Sequence, residues 1–223
     1  MKRVISILAV TTFILFSCSD DKADATKTET TTSDAKPEAT STDAKPETMA
    51  PAPPMDSAAM MKAMQDFAAV GPMHKWMAKF NGTWQADITG YMDPTKPEKS
   101  KATNTMKTIM NGLYQVGDYQ GNMMGMPFQG HSIMGYDNAK KMFVNTWIDN
   151  LGSGIIYMTG TYDDGAKALN LKGKQTDPIT GKDSEIREIM KVIDDNNYTL
   201  EMYGTGPDGK ETKFMEGTFK RKK

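Results

Sequence analysis

The sequence predicts an all-β protein, an antiparallel up-and-down β-barrel of about ten strands preceded by short helices. From Gly82 onward, short segments with alternating apolar and polar residues are separated by Gly, Asn and Asp, which are typical of tight turns. No segment of helix length interrupts them, so parallel crossover connections are ruled out. Successive antiparallel strands leave two open edges unless the sheet closes, and a barrel removes both edges.

The alternation is clearest in the first predicted strand, where Trp84, Ala86 and Ile88 share one face. Turn residues such as those at 163–165 and 206–209 separate later strands and predict hairpins. The predicted strands are 83–92, 101–110, 113–121, 127–136, 141–149, 153–162, 166–173, 184–193, 197–205 and 210–220.

Two short amphipathic helices are predicted between residues 55 and 81. Asp56 can cap the first helix, whose apolar residues recur at helical spacing as far as Phe67. Gly71 ends it, and a second apolar stripe runs from Met73 to Phe80. Packing of these helices on the domain is expected, with docking on a membrane as the alternative. Few basic residues lie on their polar faces, which disfavours the membrane.

The N-terminus has the pattern of a secretory signal peptide. Lys2 and Arg3 precede an apolar run, Val4 to Phe16, that is too short to span a bilayer comfortably. The segment from Leu15 to Cys18 then resembles the lipobox of bacterial lipoproteins. That resemblance implies removal of residues 1–17 and lipidation of Cys18, whose sulfur is the nucleophile that takes the lipid.

The residues after Cys18 predict an anchored, tethered protein. Several acyl chains give stable membrane binding. Ser19 to Asp21 resembles the acidic signal for the outer face of the outer membrane, so we expect an outer-membrane location, with surface exposure left open. Residues 19–54 are almost all small, polar or charged and contain no aromatic residue, which predicts a disordered tether. The expected organisation is therefore signal peptide 1–17, lipidated Cys18 and tether 18–54, helical lead-in 55–81 and barrel 82–223.

Composition excludes several classes of function. The chain has 27 Lys and Arg residues and 28 Asp and Glu residues, so it lacks the excess of positive charge that is typical of proteins that bind nucleic acid. One Cys excludes an internal disulfide, and one Cys with two His excludes a structural zinc cluster. Neither the G-x-S-x-G nor the H-E-x-x-H motif occurs. No cofactor is predicted, and an enzyme of unrecognised type is left open as the less favoured alternative.

The segment from Phe80 to Trp84, which follows a predicted helix, resembles the opening of the calycins: lipocalins, fatty-acid-binding proteins and nitrobindins. In those proteins a G-x-W motif begins the first strand, and its Trp closes one end of the barrel. The resemblance implies that a basic residue of the last strand, Arg221 or Lys220, covers Trp84. Nitrobindins hold haem through a His, but neither His of this chain falls on a late predicted strand, so haem is not expected.

Several ordered motifs between residues 73 and 222 resemble the bacterial family called domain of unknown function 1579. They are His74–Trp76, Met123–Phe128, Gly135–Asp137, Thr146–Asn150, Asp177–Lys182 and Thr205–Lys210. This resemblance implies membership of the family and no particular activity.

Methionine is unusually frequent, with 20 residues in the chain. Met123, Met124 and Met126 lie near His131, and thioethers with an imidazole suit Cu(I). The favoured interpretation is that Met fills irregular gaps in the core, because Met occurs along the whole domain and neighbours in a strand point to opposite faces.

The function predicted from these observations is a lipid-anchored, calycin-like protein that binds a small apolar or amphipathic ligand. Arg187 is either a surface residue or an inward anchor for a carboxylate, with the surface reading favoured. The alternative is a structural or envelope-interaction module with a filled barrel that uses the loops after Gly121 and Asn150. The candidate ligand-binding residues are Trp147, Asp149, Tyr119, Arg187, Tyr203 and Glu216.

Overall fold

The computed structural model describes residues 56–223, except Pro94, Met124 and Pro207. The predicted signal peptide, Cys18 and the tether lie outside the described residues. Within the described part, no helix is both long enough and apolar enough to cross a membrane.

The strands form a closed antiparallel barrel in up-and-down order, in which each strand pairs with the next and β10 pairs with β1. This confirms the predicted fold class and all ten predicted strands, whose ends differ from the observed ones by a few residues. The strands are β1 (Gly82–Gly90), β2 (Glu98–Ile109), β3 (Tyr114–Met123), β4 (Met126–Asp137), β5 (Met142–Asp149), β6 (Ile156–Asp163), β7 (Ala168–Thr176), β8 (Asp183–Asp194), β9 (Asn197–Thr205) and β10 (Glu211–Arg221).

The core lies inside the barrel, because alternate residues of every strand point inward. Leu169 and Leu171 of β7 are fully buried, as is Phe143 of β5. Across β9 and β10, the rings of Tyr198 and Phe219 stack with 4.4 Å between their centroids. Alternation along each strand therefore supplies an apolar interior, to which α2 (Pro72–Ala78) adds Met77 at one end.

The first helix, α1 (Ser57–Phe67), is capped as predicted, with Oδ1 of Asp56 accepting from the backbone N–H of Ala59 at 2.7 Å. None of its residues is buried, so the expected packing of α1 on the domain is not found. Its end is held instead by Asn138 of the β4–β5 turn, whose Nδ2 donates to the carbonyls of Phe67 and Ala69 at 2.9 and 2.8 Å.

The second helix, α2 (Pro72–Ala78), buries His74 and Met77. Burial lowers the pKa of His74, and its Nδ1 accepts from the backbone N–H of Gly71 at 3.0 Å. The last carbonyls of a helix lack partners within it. Here Gln115 of β3 satisfies one of them, because its Nε2 donates to the carbonyl of Met77 at 2.7 Å.

The chain between α2 and β1 is fixed by the first and last strands. Nε1 of Trp84 donates to the carbonyl of Phe80 at 2.8 Å. Arg221 donates from Nη1 to the carbonyl of Asn81 and from Nη2 to the carbonyl of Lys79, both at 2.6 Å. These bonds hold α2 across one end of the barrel.

Candidate ligand-binding cavity

The barrel encloses a cavity of about 250 Å³. Apolar side chains, aromatic ones included, supply most of its wall, and among them are Ile88, Met134, Ile156 and Met202. Because successive residues of a strand face opposite sides, a single cavity can be lined by residues from all ten strands. The space is small for a ligand pocket and fits a compact apolar guest.

The closed end of the cavity is aromatic. Trp76 of α2 packs against Phe143 and Tyr162, with ring centroids 5.2 and 4.7 Å apart. Phe80 packs edge-on against Tyr198 at 5.8 Å. Trp76 and Phe80 both line the cavity, so the helical lead-in forms its floor.

A second aromatic group is centred on Trp147 of β5. Its indole packs edge-on against Tyr119 at 4.9 Å and lies nearly parallel to Phe128 at 6.2 Å. Its Nε1 donates to Oδ2 of Asp149 at 2.7 Å. A Cβ on Gly130 of β4 would lie 2.4 Å from two indole carbons, so the ring occupies space that only glycine leaves open.

The most polar group in the wall is Glu188 of β8, which is 9% exposed. Burial raises the pKa of its carboxyl to about 7, because the charged form loses its hydration. No hydrogen bond or ion pair to this side chain is found in the part of the chain that the structure describes. Residues opposite it on β7 and β9 are Leu171 and Met202, which are apolar.

Two buried asparagines have unmatched oxygens. Asn145 of β5 lines the cavity, and Asn104 of β2 is fully buried. In neither residue does Oδ1 have a hydrogen-bond partner within the described chain. A buried acceptor left without a donor costs about 1–3 kcal/mol, so a donor such as an internal water molecule would stabilise either oxygen.

Two tyrosines flank Asn104. Its Nδ2 donates to the hydroxyl of Tyr198 at 3.5 Å, and Tyr119 is its partner across the β2–β3 pair. Burial first, and then the charge of Glu188, raise the pKa of Tyr119. Burial likewise raises the pKa of Tyr198, followed by the effect of Tyr119. Both hydroxyls therefore stay protonated at neutral pH.

The cavity wall carries acids and no bases. Asp149 and Glu188 line it, whereas no Lys, Arg or His is found among its described lining residues. An anionic group placed inside would meet two carboxyl groups and no compensating cation.

Of the six candidate ligand-binding residues, three line this cavity: Trp147, Asp149 and Tyr119. The structure does not place Arg187, Tyr203 or Glu216 in its wall. Nε and Nη2 of Arg187 donate to the carboxylate of Glu211 at 2.8 and 2.6 Å. Because Glu188 points inward, its neighbour Arg187 points outward, which agrees with the favoured surface interpretation and excludes the alternative of an inward carboxylate anchor.

Tyr203 and Glu216 also belong to the outer surface. The ring of Tyr203 lies 4.0 Å from the guanidinium carbon of Arg187. Oε2 of Glu216 accepts from Nζ of Lys213 at 2.8 Å, and its Oε1 accepts from the hydroxyl of Tyr91 at 2.7 Å. These contacts join neighbouring strands on the outer surface, and neither residue lines the cavity.

Glu188 and Asn145, which line the cavity, and the buried Asn104 were not among the sequence candidates. A signal for Glu188 does exist, because it alternates with the apolar residues Ile186 and Met190 along β8. A charged residue on an otherwise apolar strand face marks a functional position.

The copper hypothesis is not supported by the positions of its residues. Met123 lines the cavity, and Met126 is about half exposed. Nδ1 of His131 pairs instead with Oδ1 of Asp118 at 2.8 Å on the outer surface. Met124 lies outside the described residues. Among those described, no group of three or more His, Cys, Asp or Glu could hold a metal ion.

The closed ten-stranded barrel and its plugged end define a calycin-like β-barrel protein. A sequence model of the family described as "Protein of unknown function (DUF1579)" matches residues 69–221, and the chain belongs to this family. Comparison with curated proteins gives no significant match.

Two solved structures are similar to the chain. Rv2717c from M. tuberculosis has a TM-score of 0.54 and 11% identity, and the match covers 70% of this chain and 100% of that chain. The S-type phycobiliprotein lyase CPES from Guillardia theta has a TM-score of 0.49 and 8% identity, covering 68% of this chain and 93% of that chain. At such low identity, the likeness to Rv2717c shows the fold alone.

Proposed function

We propose that the protein is a lipid-anchored binding protein that holds one small apolar or amphipathic molecule inside its barrel. The observation that carries the proposal is the cavity of about 250 Å³, which is lined mainly by apolar side chains. Burial of apolar surface supplies about 25 cal/mol per Å², so a guest that fills this space gains affinity without any charged contact.

The aromatic groups support the same role. Trp147, Tyr119 and Phe128 form one wall, and Trp76 with Phe80 forms the floor. Rigid rings give large contact areas at low entropic cost and suit the recognition of a compact hydrophobic body.

The test is binding of N-phenyl-1-naphthylamine, an uncharged dye whose emission rises in apolar surroundings. The protein is the chain from Ser19 to Lys223, without the predicted signal peptide and the lipidated cysteine. We expect saturable binding of one dye molecule, with quenching of tryptophan emission because Trp76 and Trp147 line the cavity. Absence of saturable binding would contradict the proposal.

A matched pair of variants separates the cavity from the surface. Ile156→Trp fills part of the cavity, because Ile156 of β6 lines it, and should abolish dye binding. Tyr157→Trp places the same side chain on the exposed outer face of β6 and should leave binding unchanged. Equal binding by both variants would locate the dye outside the barrel.

The natural guest can be sought directly. Native mass spectrometry of the protein purified under mild conditions should show a mass increment that organic extraction removes. The Ile156→Trp variant should lack this increment.

The anchor is a separate part of the proposal and rests on the sequence from Leu15 to Cys18. In a bacterial host that processes lipoproteins, the full chain should incorporate a labelled fatty acid and fractionate with the outer membrane. Cys18→Ser should abolish both, since the thiol that takes the lipid is gone. Labelling of the Cys18→Ser variant would disprove lipidation at this site.

A second candidate, an envelope-interaction module, has one observation in its favour. Met60, Met61, Met64 and Phe67 expose an apolar face on α1, and such patches mark contact surfaces. Replacing the three methionines with Gln should leave the thermal midpoint unchanged, because none is buried. If α1 serves this role, the same change should remove cross-linked species formed by the anchored protein in cells.

A further inference from the structure

Two carboxyl groups are the ionisable acids among the polar groups of the cavity. Glu188 offers a carboxyl group with no partner among the described residues, and Asp149 adds a second carboxylate. Asn145 lines the same space, and its amide oxygen is buried without a partner among the described residues. The two carboxyl groups are pure acceptors when ionised, whereas the Asn145 amide offers both a donor and an acceptor.

No Lys, Arg or His that could pair with an anion lies in the described wall. Fatty acids and other carboxylates need a cation or several donors, because burial of a bare charge is very costly. The nearest candidate, Arg187, is paired with Glu211 on the outer face.

Apolar rings surround the acceptors. Trp147 packs with Tyr119 and Phe128 in the wall of the same cavity, and aromatic faces attract cations. A protonated amine satisfies carboxylates, amide oxygens and aromatic faces together, whereas a hydroxyl or a hydrocarbon satisfies fewer of them.

We propose that the guest is an apolar molecule with a protonated amine, and that the amine binds Glu188 inside the barrel. This inference rests on the proposed function and specifies its ligand class. Glu188 is the specificity-determining residue, and the apolar wall holds the body of the molecule.

Binding of an amine is coupled to the ionisation of Glu188. Burial raises the pKa of this carboxyl to about 7 in the empty protein, so it is mostly protonated in mild acid. The titratable groups that face it are Tyr119 from β3 and Tyr198 from β9, which stay neutral, and Asp149 from β5 lines the same cavity. The ammonium prefers the carboxylate, so affinity should rise with pH and level off above about 7.

The experiment compares three probes that share a phenylethyl body: 2-phenylethylamine, ethylbenzene and 3-phenylpropanoate. Each is titrated by calorimetry and by displacement of N-phenyl-1-naphthylamine at about pH 5.5 and about pH 8. The amine should bind roughly 30-fold more tightly at the higher pH, in line with the ionised fraction of a group with a pKa of about 7. Ethylbenzene should bind with the same affinity at both pH values. Of the three probes, 3-phenylpropanoate should bind most weakly.

Glu188→Gln is the decisive variant, because it keeps the shape of the side chain and removes its charge. It should abolish the pH dependence of amine binding and leave ethylbenzene binding unchanged. Glu185→Gln, an exposed position on the same strand, is the matched control and should behave like the wild type.

The outcomes separate the two proposals. Tightest binding by 3-phenylpropanoate, amine binding that ignores both pH and Glu188→Gln, or dye binding that none of the probes displaces would overturn the amine assignment. Each of these three results would still be compatible with binding of a guest in the cavity. Failure of the dye itself to bind would instead overturn the proposed function.

Discussion

The guanidinium of Arg221 lies over the indole of Trp84, with 4.2 Å between Cζ and the ring centroid. The two residues are direct partners across the β1–β10 pair that closes the barrel. The resemblance to calycins implies this arrangement. The same guanidinium donates to the carbonyls of Lys79 and Asn81, so one side chain links barrel closure to the position of α2.

Arg221→Ala should destabilise the protein by about 2–3 kcal/mol, because it removes charge-assisted hydrogen bonds and the contact with Trp84. The free energy of unfolding in urea, followed by tryptophan emission, measures this. Arg221→Lys should recover only part of the loss, since an ammonium cannot reproduce the forked geometry. Lys220→Ala, on the neighbouring exposed position, is the control. Equal stability of the Arg221→Ala and Lys220→Ala variants would show that the contact contributes nothing.

Gly130→Ala should destabilise the barrel by about 1–3 kcal/mol, because the added Cβ overlaps the Trp147 indole. The ring must move, so its emission maximum and the dye affinity should change as well. Gly90→Ala is the matched control, since nothing lies within 4 Å of a Cβ built there and its φ is not in the left-handed region. Unchanged stability and emission in Gly130→Ala would mean that the indole adapts freely.

The strands could be predicted from the sequence because turn residues separate segments with period-two alternation. Trp84 illustrates this, since it lies in the first alternating segment after a predicted helix, and its place at the closed end is what the resemblance to calycins implied. Closure followed from the absence of any helix between strands, and the structure confirms it.

Which residues face the interior was harder to predict than the strands, because β8 carries aliphatic residues on both faces. Ile189 and Ile193 share the face of Arg187, whereas Ile186 and Met190 share the face of Glu188. Periodicity alone does not say which face turns inward, since only the register with neighbouring strands decides it. The cavity volume likewise depends on how side chains from ten strands meet, which no single segment reveals.

Lys213→Met should destabilise the protein by about 1–2 kcal/mol near pH 7. Glu201 and Glu216 are direct cross-strand partners, and Nζ of Lys213 lies 2.9 and 2.8 Å from their carboxylates. Without Lys213, two like charges face each other. Urea unfolding at several pH values measures the effect.

The effect of Lys213→Met should shrink in acid. Hydrogen bonds from Lys213 lower the pKa of both glutamates, so the stability they contribute is present above their ordinary pKa of 4.5 and is lost as pH falls below it. Lys191→Met, at an exposed position of β8, should change stability little at any pH. A loss that does not depend on pH would contradict an electrostatic origin.

The contribution of Glu188 to stability changes with pH in the opposite direction to that of Glu201 and Glu216. Burial raises the pKa of its carboxyl from an ordinary 4.5 to about 7, so the folded state binds a proton more tightly than the unfolded state. Its contribution to stability is therefore fully present below pH 4.5, falls as the pH rises, and is lost above about 7.

Glu188→Gln should accordingly equal the wild type in stability near pH 4 and exceed it by roughly 3 kcal/mol at pH 8, since the amide cannot ionise. The difference in unfolding free energy between variant and wild type, measured in urea across this range, isolates the titration of this one group. Glu185→Gln, exposed on the same strand, should show no such rise. A constant difference between pH 4 and pH 8 would mean that Glu188 is hydrated inside the barrel. Saturating 2-phenylethylamine should narrow the gap at pH 8, because the ammonium stabilises the buried carboxylate of the wild type and finds no charge in the variant.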